Sequence, residues 1–297
     1  MKKIGLVGLG DMGIGMAKNI LGHGFELTGY DLREERRQAL AELGGKPAEG
    51  VREVAENSDA VFIMVLNGPQ VKDVVLGEYG FLDGLKPGSI IIVSATIHPS
   101  EIRAIEPPVV EKGFHLIDTP VSGGKSGADN GTLTLMAAGK KAVIADVKEV
   151  LEAVGQKIFH VGEEIGMGQT VKAALQALIG ASFTAIFESL VLGVKAGVKA
   201  ETLYEVFGSS GVGSPLFKNA AKLIIERKFK GTGSHIGTMY KDLGITMAMA
   251  KENGVAMFTA SAAFELFQAG ISMFPDEDNW SIVKLLEQIA GTEVKKQ

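Results

Sequence analysis

Lys172 stands in the segment VKAALQALIGASFTAIF, which is apolar on nearly every side. Most helix lysines are solvated. One set among apolar neighbours must find a partner, reach a cleft, or give up its proton readily. An amine titrating near neutrality suits donating a proton to a carbonyl oxygen and taking it back from a hydroxyl. Gln176 lies four residues on, hence on the same helical face, and can hydrogen-bond the same substrate.

A second chemical segment is DTPVSGGKSGADNGTL, Asp118–Leu133. Ser122-Gly123-Gly124 follows an apolar strand, His115–Asp118, and Pro120. Without Cβ atoms, the backbone N–H groups of Gly123 and Gly124 approach a small anion closely, and the Ser122 hydroxyl adds a donor. On its own, the same string also reads as a Gly-rich turn after a strand.

The third is Gly8-Leu9-Gly10-Asp11-Met12-Gly13, directly after the apolar run Lys3–Leu9 and opening a helical pattern. Asp31 closes the next strand-like run. A dinucleotide site requires this arrangement: glycines for the tight turn and close pyrophosphate approach, unpaired N–H groups at a helix start, and a carboxylate for a ribose hydroxyl. Asp31 would repel a 2′-phosphate, which favours NAD over NADP. Arg33, two residues on, partly offsets that repulsion and keeps NADP possible.

Leu66-Asn67 and Ser94-Ala95-Thr96 end the next two apolar strands, where ligands of open α/β sheets sit. Asn67 and Thr96 also fit as helix caps. Lys241-Asp242-Leu243, by itself, is an ordinary pair on a helix surface.

In this order, the glycine turn, Thr96, the Ser122 loop, GMGQTVK around Lys172, and Lys241-Asp242-Leu243 resemble the β-hydroxyacid dehydrogenases. That family includes 3-hydroxyisobutyrate dehydrogenase, tartronate semialdehyde reductase and L-threonate dehydrogenase. The resemblance covers nearly the whole chain and implies an N-terminal Rossmann domain, an all-helical C-terminal domain, and an active site in the cleft between them. It implies hydride transfer between a nicotinamide and the hydroxyl-bearing carbon of a short β-hydroxyacid. Ser122, Gly123 and Gly124 would hold the carboxylate, Lys172 would act as general acid/base, and Gln176 would orient the reacting oxygen. Asn67 and Thr96 would touch the nicotinamide side, and Lys241 would reach toward the cofactor, with Asp242 a weaker candidate. No metal is needed, because a protonated lysine polarises the carbonyl. A dimer or tetramer is also implied. One departure stands out: Leu175 occupies a position where many members carry Asn or His. The alternatives are a semialdehyde or 3-sulfolactaldehyde reductase of the same fold using NADPH, and a non-catalytic dinucleotide-binding protein.

The elements that must position these residues are legible. Up to about residue 163, β-branched runs alternate with helical stretches such as Met12–Gly22, Glu34–Leu43, Pro99–Lys112 and Lys141–Val154, which implies a doubly wound, mostly parallel sheet. Beyond Gly166, helical periodicity takes over: Gln169–Ala196, Ala200–Gly208, Pro215–Lys228, Gly237–Asn253, Thr259–Ala269 and Asn279–Ile289. The expected division is therefore residues 1–163 and 164–297. Gln169–Ala196, if continuous, would span about 42 Å and could present one face to each domain.

Composition narrows the class further. Of 297 residues, 46% are hydrophobic and 22% charged, as in a globular protein. A net charge of −5 leaves no electrostatic footprint for nucleic acid or an anionic membrane. The absence of cysteine excludes a thiolate nucleophile, disulfides and cysteine-ligated metal. The five histidines show no metal-ligand spacing. Ile4–Leu9 is too short for a signal-peptide core, and Val171–Phe187 reads as a buried helix rather than a membrane span. The chain reads as cytoplasmic.

Overall fold

The computed structural model describes residues 2–297, which form two compact units, one ending at Lys172 and the other beginning at Ala173. The first unit contains β1 (Lys3–Val7), β2 (Glu26–Tyr30), β3 (Lys46–Pro47), β4 (Ala60–Ile63), β5 (Ile90–Val93), β6 (His115–Asp118), β7 (Val121–Ser122), β8 (Leu133–Ala138) and β9 (Gly155–Gly162). They make one sheet in the order β3-β2-β1-β4-β5-β6-β8-β7, with β9 paired to β8. From β3 to β6 all pairs are parallel; β8 runs antiparallel to β6 and β7. The doubly wound, mostly parallel sheet expected from the alternating pattern is present.

Central strands β4 (AVFI) and β5 (IIIV) are apolar and buried throughout, because helices cover both faces of a parallel sheet. The pleat sends alternate side chains to opposite cores. Phe62 and Ile92 join Leu6, Met16 and Ile20 on one face, while Val61, Ile63 and Ile91 join Val75, Phe81 and Ile105 on the other. Since β1, β2, β4, β5 and β6 are parallel, their carboxyl ends share one edge of the sheet. Gly8, Asp31, Leu66, Thr96 and Pro120 all follow those ends.

The second unit is all-helical, as expected. Beyond the remainder of the long helix Met167–Lys195 it contains Ala200–Ser209, Pro215–Ile225, Ile236–Glu252, Phe258–Met273 and Val283–Ala290, the last preceded by a 3₁₀ turn at Asn279–Ile282. Phe183 of the long helix lies 5.9 Å from Phe187 and 5.7 Å, edge-on, from Trp280, and with Phe217 and Phe267 these rings fill the core. Asp278 accepts from the Thr232 and Ser234 N–H groups and the Thr232 hydroxyl, which fixes the loop that leads into Ile236–Glu252.

Met167–Lys195 is long and apolar enough to cross a membrane by length and composition, the one such helix among the described residues. Its Phe183, Phe187 and Leu190 are nonetheless buried in the helical core. The division between units falls inside this helix, later than the glycine-rich Gly166-Met167-Gly168 joint, because hydrogen bonds from β6 and the segment after β5 hold its first turn to the sheet.

Candidate active site

The glycine turn is built so that glycine is required at its two ends. Gly8 has φ +94°, and a Cβ there would lie 2.4 Å from the Met64 carbonyl oxygen. A Cβ on Gly13 would lie 1.9 Å from the Gly8 carbonyl oxygen. Gly10 differs: its nearest neighbour is Arg33 Nη2 at 3.8 Å, so the open side of the turn is there. Gly10 caps the helix Asp11–Gly22 without any side-chain acceptor. The first-turn N–H groups, those of Asp11, Met12 and Gly13 among them, lack intrahelical acceptors. They match the needs of a pyrophosphate, as the cradle of bare glycines does.

Asp31 follows β2. One carboxylate oxygen accepts from Leu9 N–H at 2.8 Å, the other from Arg33 N–H at 3.0 Å and Arg33 Nε at 3.3 Å. Partial burial works against its charge, but the N–H groups of Arg33 and Leu9 and the Arg33 guanidinium outweigh it, holding the carboxyl below its ordinary range. A carboxylate has about four acceptor positions, so three protein donors leave one for a ribose hydroxyl. The run Arg33–Arg37 is more than a solvated helix face. Arg36 pairs with Asp11 at 3.0 Å, and Arg37 donates to the Asp31 carbonyl at 2.6 Å while lying over the Tyr30 ring. The Arg36 pairing offsets an acidic side chain beside the site where phosphates would sit.

Asn67 caps the helix Gly68–Leu76, its Oδ1 accepting from Gln70 N–H at 3.0 Å. The exposed Leu66 donates its N–H to Gln70 Oε1. Thr96 does not cap the next helix; His98 does, in a capping box with Glu101. The two open readings therefore part: Asn67 caps a helix, and Thr96 does not.

Ser122 ends β7, with Thr134 of β8 beside it. Gly123 (φ +135°) and Gly124 (φ +60°) are exposed and turn the chain into the short helix Gly124–Asp129. Asn19, from the dinucleotide helix, donates to the Gly15, Ala128 and Asp129 carbonyls and so ties that helix to the segment after Ser122. The residue pattern gave no sign of this link.

Lys172 is buried, at 7% exposure, on the second turn of Met167–Lys195. Gln169, Lys172 and Gln176 are the buried polar side chains of this mainly apolar helix. Gln169 is wholly buried. Its Nε2 donates to the Ala95 carbonyl (2.9 Å) and to Asp118 Oδ1 (2.8 Å), and its Oε1 accepts from Ile97 N–H (3.0 Å). Asp118 Oδ2 accepts from the N–H groups of Gly166 and Gln169, each at 3.1 Å. Burial pushes the Asp118 carboxyl up to about 7, against the downward pull of the Gln169, Gly166 and Gly168 donors. Sequence reading missed both residues. The only available signal was a carboxylate at the end of an otherwise apolar strand, HLID.

In the helical unit, Gln176 Nε2 donates to Asp242 Oδ2 at 2.5 Å and touches Met239 Sδ at 3.6 Å. Lys241 Nζ lies 2.9 Å from Asp242 Oδ1. The pair that looked like an ordinary helix surface is thus mostly buried, and Asp242 organises Gln176 as well as Lys241.

Fold and glycine cradle define a nicotinamide-dinucleotide-dependent oxidoreductase. Residues 3–162 match the NAD-binding domain of 6-phosphogluconate dehydrogenase, and residues 166–286 match the NAD-binding domain of NADP-dependent 3-hydroxyisobutyrate dehydrogenase. Over its length the chain is 36% identical to 2-(hydroxymethyl)glutarate dehydrogenase of Eubacterium barkeri (98% of this chain, 97% of the relative). It is 32% identical to L-threonate dehydrogenase of Cupriavidus necator, with 97% of each chain covered. The crystal structure of 3-hydroxyisobutyrate dehydrogenase from Salmonella typhimurium superposes with a TM-score of 0.87 at 31% identity, covering 95% of this chain and 99% of that one. The chain belongs to the 3-hydroxyisobutyrate dehydrogenase family of NAD(P)-dependent hydroxyacid dehydrogenases, whose substrates are small carboxylates.

Proposed function

We propose that the chain oxidises a short β-hydroxyacid, or reduces the matching semialdehyde, with Lys172 as general acid/base. Bound NAD(P) supplies the hydride acceptor or donor. In oxidation, neutral Lys172 removes the hydroxyl proton as the carbinol hydrogen leaves with its electron pair; in reduction, the ammonium returns that proton to the carbonyl oxygen. Ser122, Gly123 and Gly124 bind the carboxylate, and Gln176 orients the reacting oxygen. Gly8, Leu9, Gly10, Asp11, Met12 and Gly13 hold the pyrophosphate and Asp31 the ribose. Leu66, Asn67, Thr96 and Lys241 line the cofactor. The observation that carries this reading is the burial of Lys172 on a helix turn hydrogen-bonded to the ends of the strands that lead into Thr96 and Ser122. The domains are taken as residues 1–163 and 164–297, supported by the two family matches on either side. A cytoplasmic homodimer or homotetramer completes the proposal.

Carboxylate recognition separates this reading from a general alcohol dehydrogenase. A β-hydroxyacid is expected to exceed its methyl ester in kcat/KM by about 100-fold or more, because the ester leaves the anion-binding N–H groups poorly matched. Equal rates for acid and ester would contradict it.

NAD is the favoured cofactor, because Asp31 meets the adenosine ribose with a charge that its neighbours keep ionised. Asp31→Asn removes that charge and releases Arg33. The ratio of kcat/KM for NADP to that for NAD is expected to rise about 10-fold or more, roughly the effect of one removed like-charge contact. A ratio unchanged in paired assays would count against the role of Asp31.

A further inference from the structure

We infer that Asp118 and Gln169 are positioning residues: together they clamp the start of the long helix against the ends of β5 and β6 and so set where Lys172 stands. The inference rests on Lys172 being the proton shuttle.

The clamp joins three segments that carry the proposed chemistry. Gln169 lies one turn before Lys172. Its side chain bonds Ala95 and Ile97, the two residues that bracket Thr96. Asp118 begins the stretch that reaches Ser122 four residues later, and it holds Gly166 and Gln169 by their backbone N–H groups. Both side chains are fully buried.

Both amide hydrogens and one acceptor position of Gln169 are used. The two Nε2 hydrogens of Gln169 go to Ala95 and Asp118, and its Oε1 takes the Ile97 N–H, so a flipped amide would set donor against donor at Ile97. This fixes the rotation of the helix about its axis as well as its height. Gly168 gives independent support: a Cβ there would lie 2.5 Å from the Met136 carbonyl oxygen and 2.9 Å from Asp118 Oδ2, so the helix start can sit on the clamp only as glycine.

Stability alone does not account for such a group. Asp118 forms no ion pair among those present in the described residues. Burial pushes its carboxyl up to about 7, the mark of a charge that is costly to keep. Replacing both partners of a buried hydrogen bond by apolar side chains of the same shape can be nearly neutral or stabilising. What apolar packing lacks is directional control over a helix that carries a reacting amine.

The test uses the full chain and compares Gln169→Leu, Asp118→Asn, Lys172→Ala and the Gln169→Leu/Lys172→Ala double variant. A displacement of about 1 Å at a reacting group costs on the order of 100-fold, so Gln169→Leu should lower kcat for hydroxyacid oxidation by about 30- to 100-fold. Its NAD dissociation constant should rise far less than kcat falls, by no more than about five-fold, since the glycine turn and Asp31 are untouched and only Thr96 among the cofactor-lining residues adjoins the clamp. In the Lys172→Ala background the same substitution should cost less than about two-fold, because no amine remains to be misplaced. An equal loss in both backgrounds would reduce the clamp to ordinary scaffolding, and wild-type kcat in Gln169→Leu would overturn it. Asp118→Asn should behave like Gln169→Leu; if it does not fold, Gln169→Leu and the double variant decide the matter. If Lys172→Ala itself keeps wild-type turnover, the proton-shuttle reading fails and takes the clamp with it. If Lys172→Ala is inactive while Gln169→Leu is fully active, only the clamp fails.

Discussion

Lys172→Ala is expected to lower kcat for hydroxyacid oxidation by about 1,000-fold while NAD binding, followed by fluorescence titration, stays within about two-fold. The size of the loss follows from the role proposed for the lysine. Without a positioned base, the alkoxide must form by proton loss to water, and that route forfeits the general-base contribution of about 100- to 10,000-fold. Lys172 is buried, so bulk water is a poor replacement for the missing amine. The glycine turn and Asp31 lie on other elements and keep their hydrogen bonds. Lys172→Arg should be nearly as slow despite its positive charge, because a guanidinium does not release its proton at working pH. A variant that lost cofactor affinity and turnover in proportion would point to a binding role instead.

Gly13→Ala should weaken NAD binding by about 100-fold or more and lower the melting temperature by several degrees. A Cβ on Gly13 would lie 1.9 Å from the carbonyl oxygen of Gly8. That neighbour is backbone, and it belongs to a residue already held at φ +94°. Neither side can step away without opening the turn. An opened turn carries the uncapped N–H groups of Asp11–Gly22 away from the place where a pyrophosphate would meet them. Calorimetric titration with NAD reads the affinity directly, and unchanged affinity would mean that the turn does not bind the cofactor. Gly10→Ala is the informative contrast: it has room for a methyl group in the protein alone, so its effect should appear in binding and hardly in stability.

Much of the sheet could be read from pattern. β6 matches the expected run His115–Asp118 residue for residue, and β1 ends two residues sooner than the apolar stretch Lys3–Leu9. Parallel strands buried on both faces leave uninterrupted β-branched runs, the clearest periodic signal available. β3 was illegible because two residues, Lys46-Pro47, have no period. Gly68–Leu76 was legible only at its start, where Asn67 before Gly68-Pro69 fits a helix cap; its extent was not. Lys141–Val154 was read as one helix and divides at Val147, where the backbone leaves helical angles. In the helical half, the starts and ends shifted by only a few residues, since apolar spacing of three and four identifies the elements but not their caps.

The candidate site divides in the same way. Glycine turns, a strand-end aspartate and an isolated lysine are local patterns, and each is visible in a short window. Asp118–Gln169 and Asn19–Ala128 are not, because the partners are far apart in sequence and only the fold brings them together. Gln176 and Asp242 fall between these cases: each was noticed singly, and their mutual hydrogen bond was not.

Chemical rescue of Lys172→Ala by small alkylamines reads the proton transfer itself. Hydroxyacid oxidation by the variant should accelerate with added methylamine or ethylamine, with a rate that follows the free-base concentration. No acceleration by any of these amines, with the variant folded and binding NAD as the wild type does, would contradict a proton-shuttling role for Lys172.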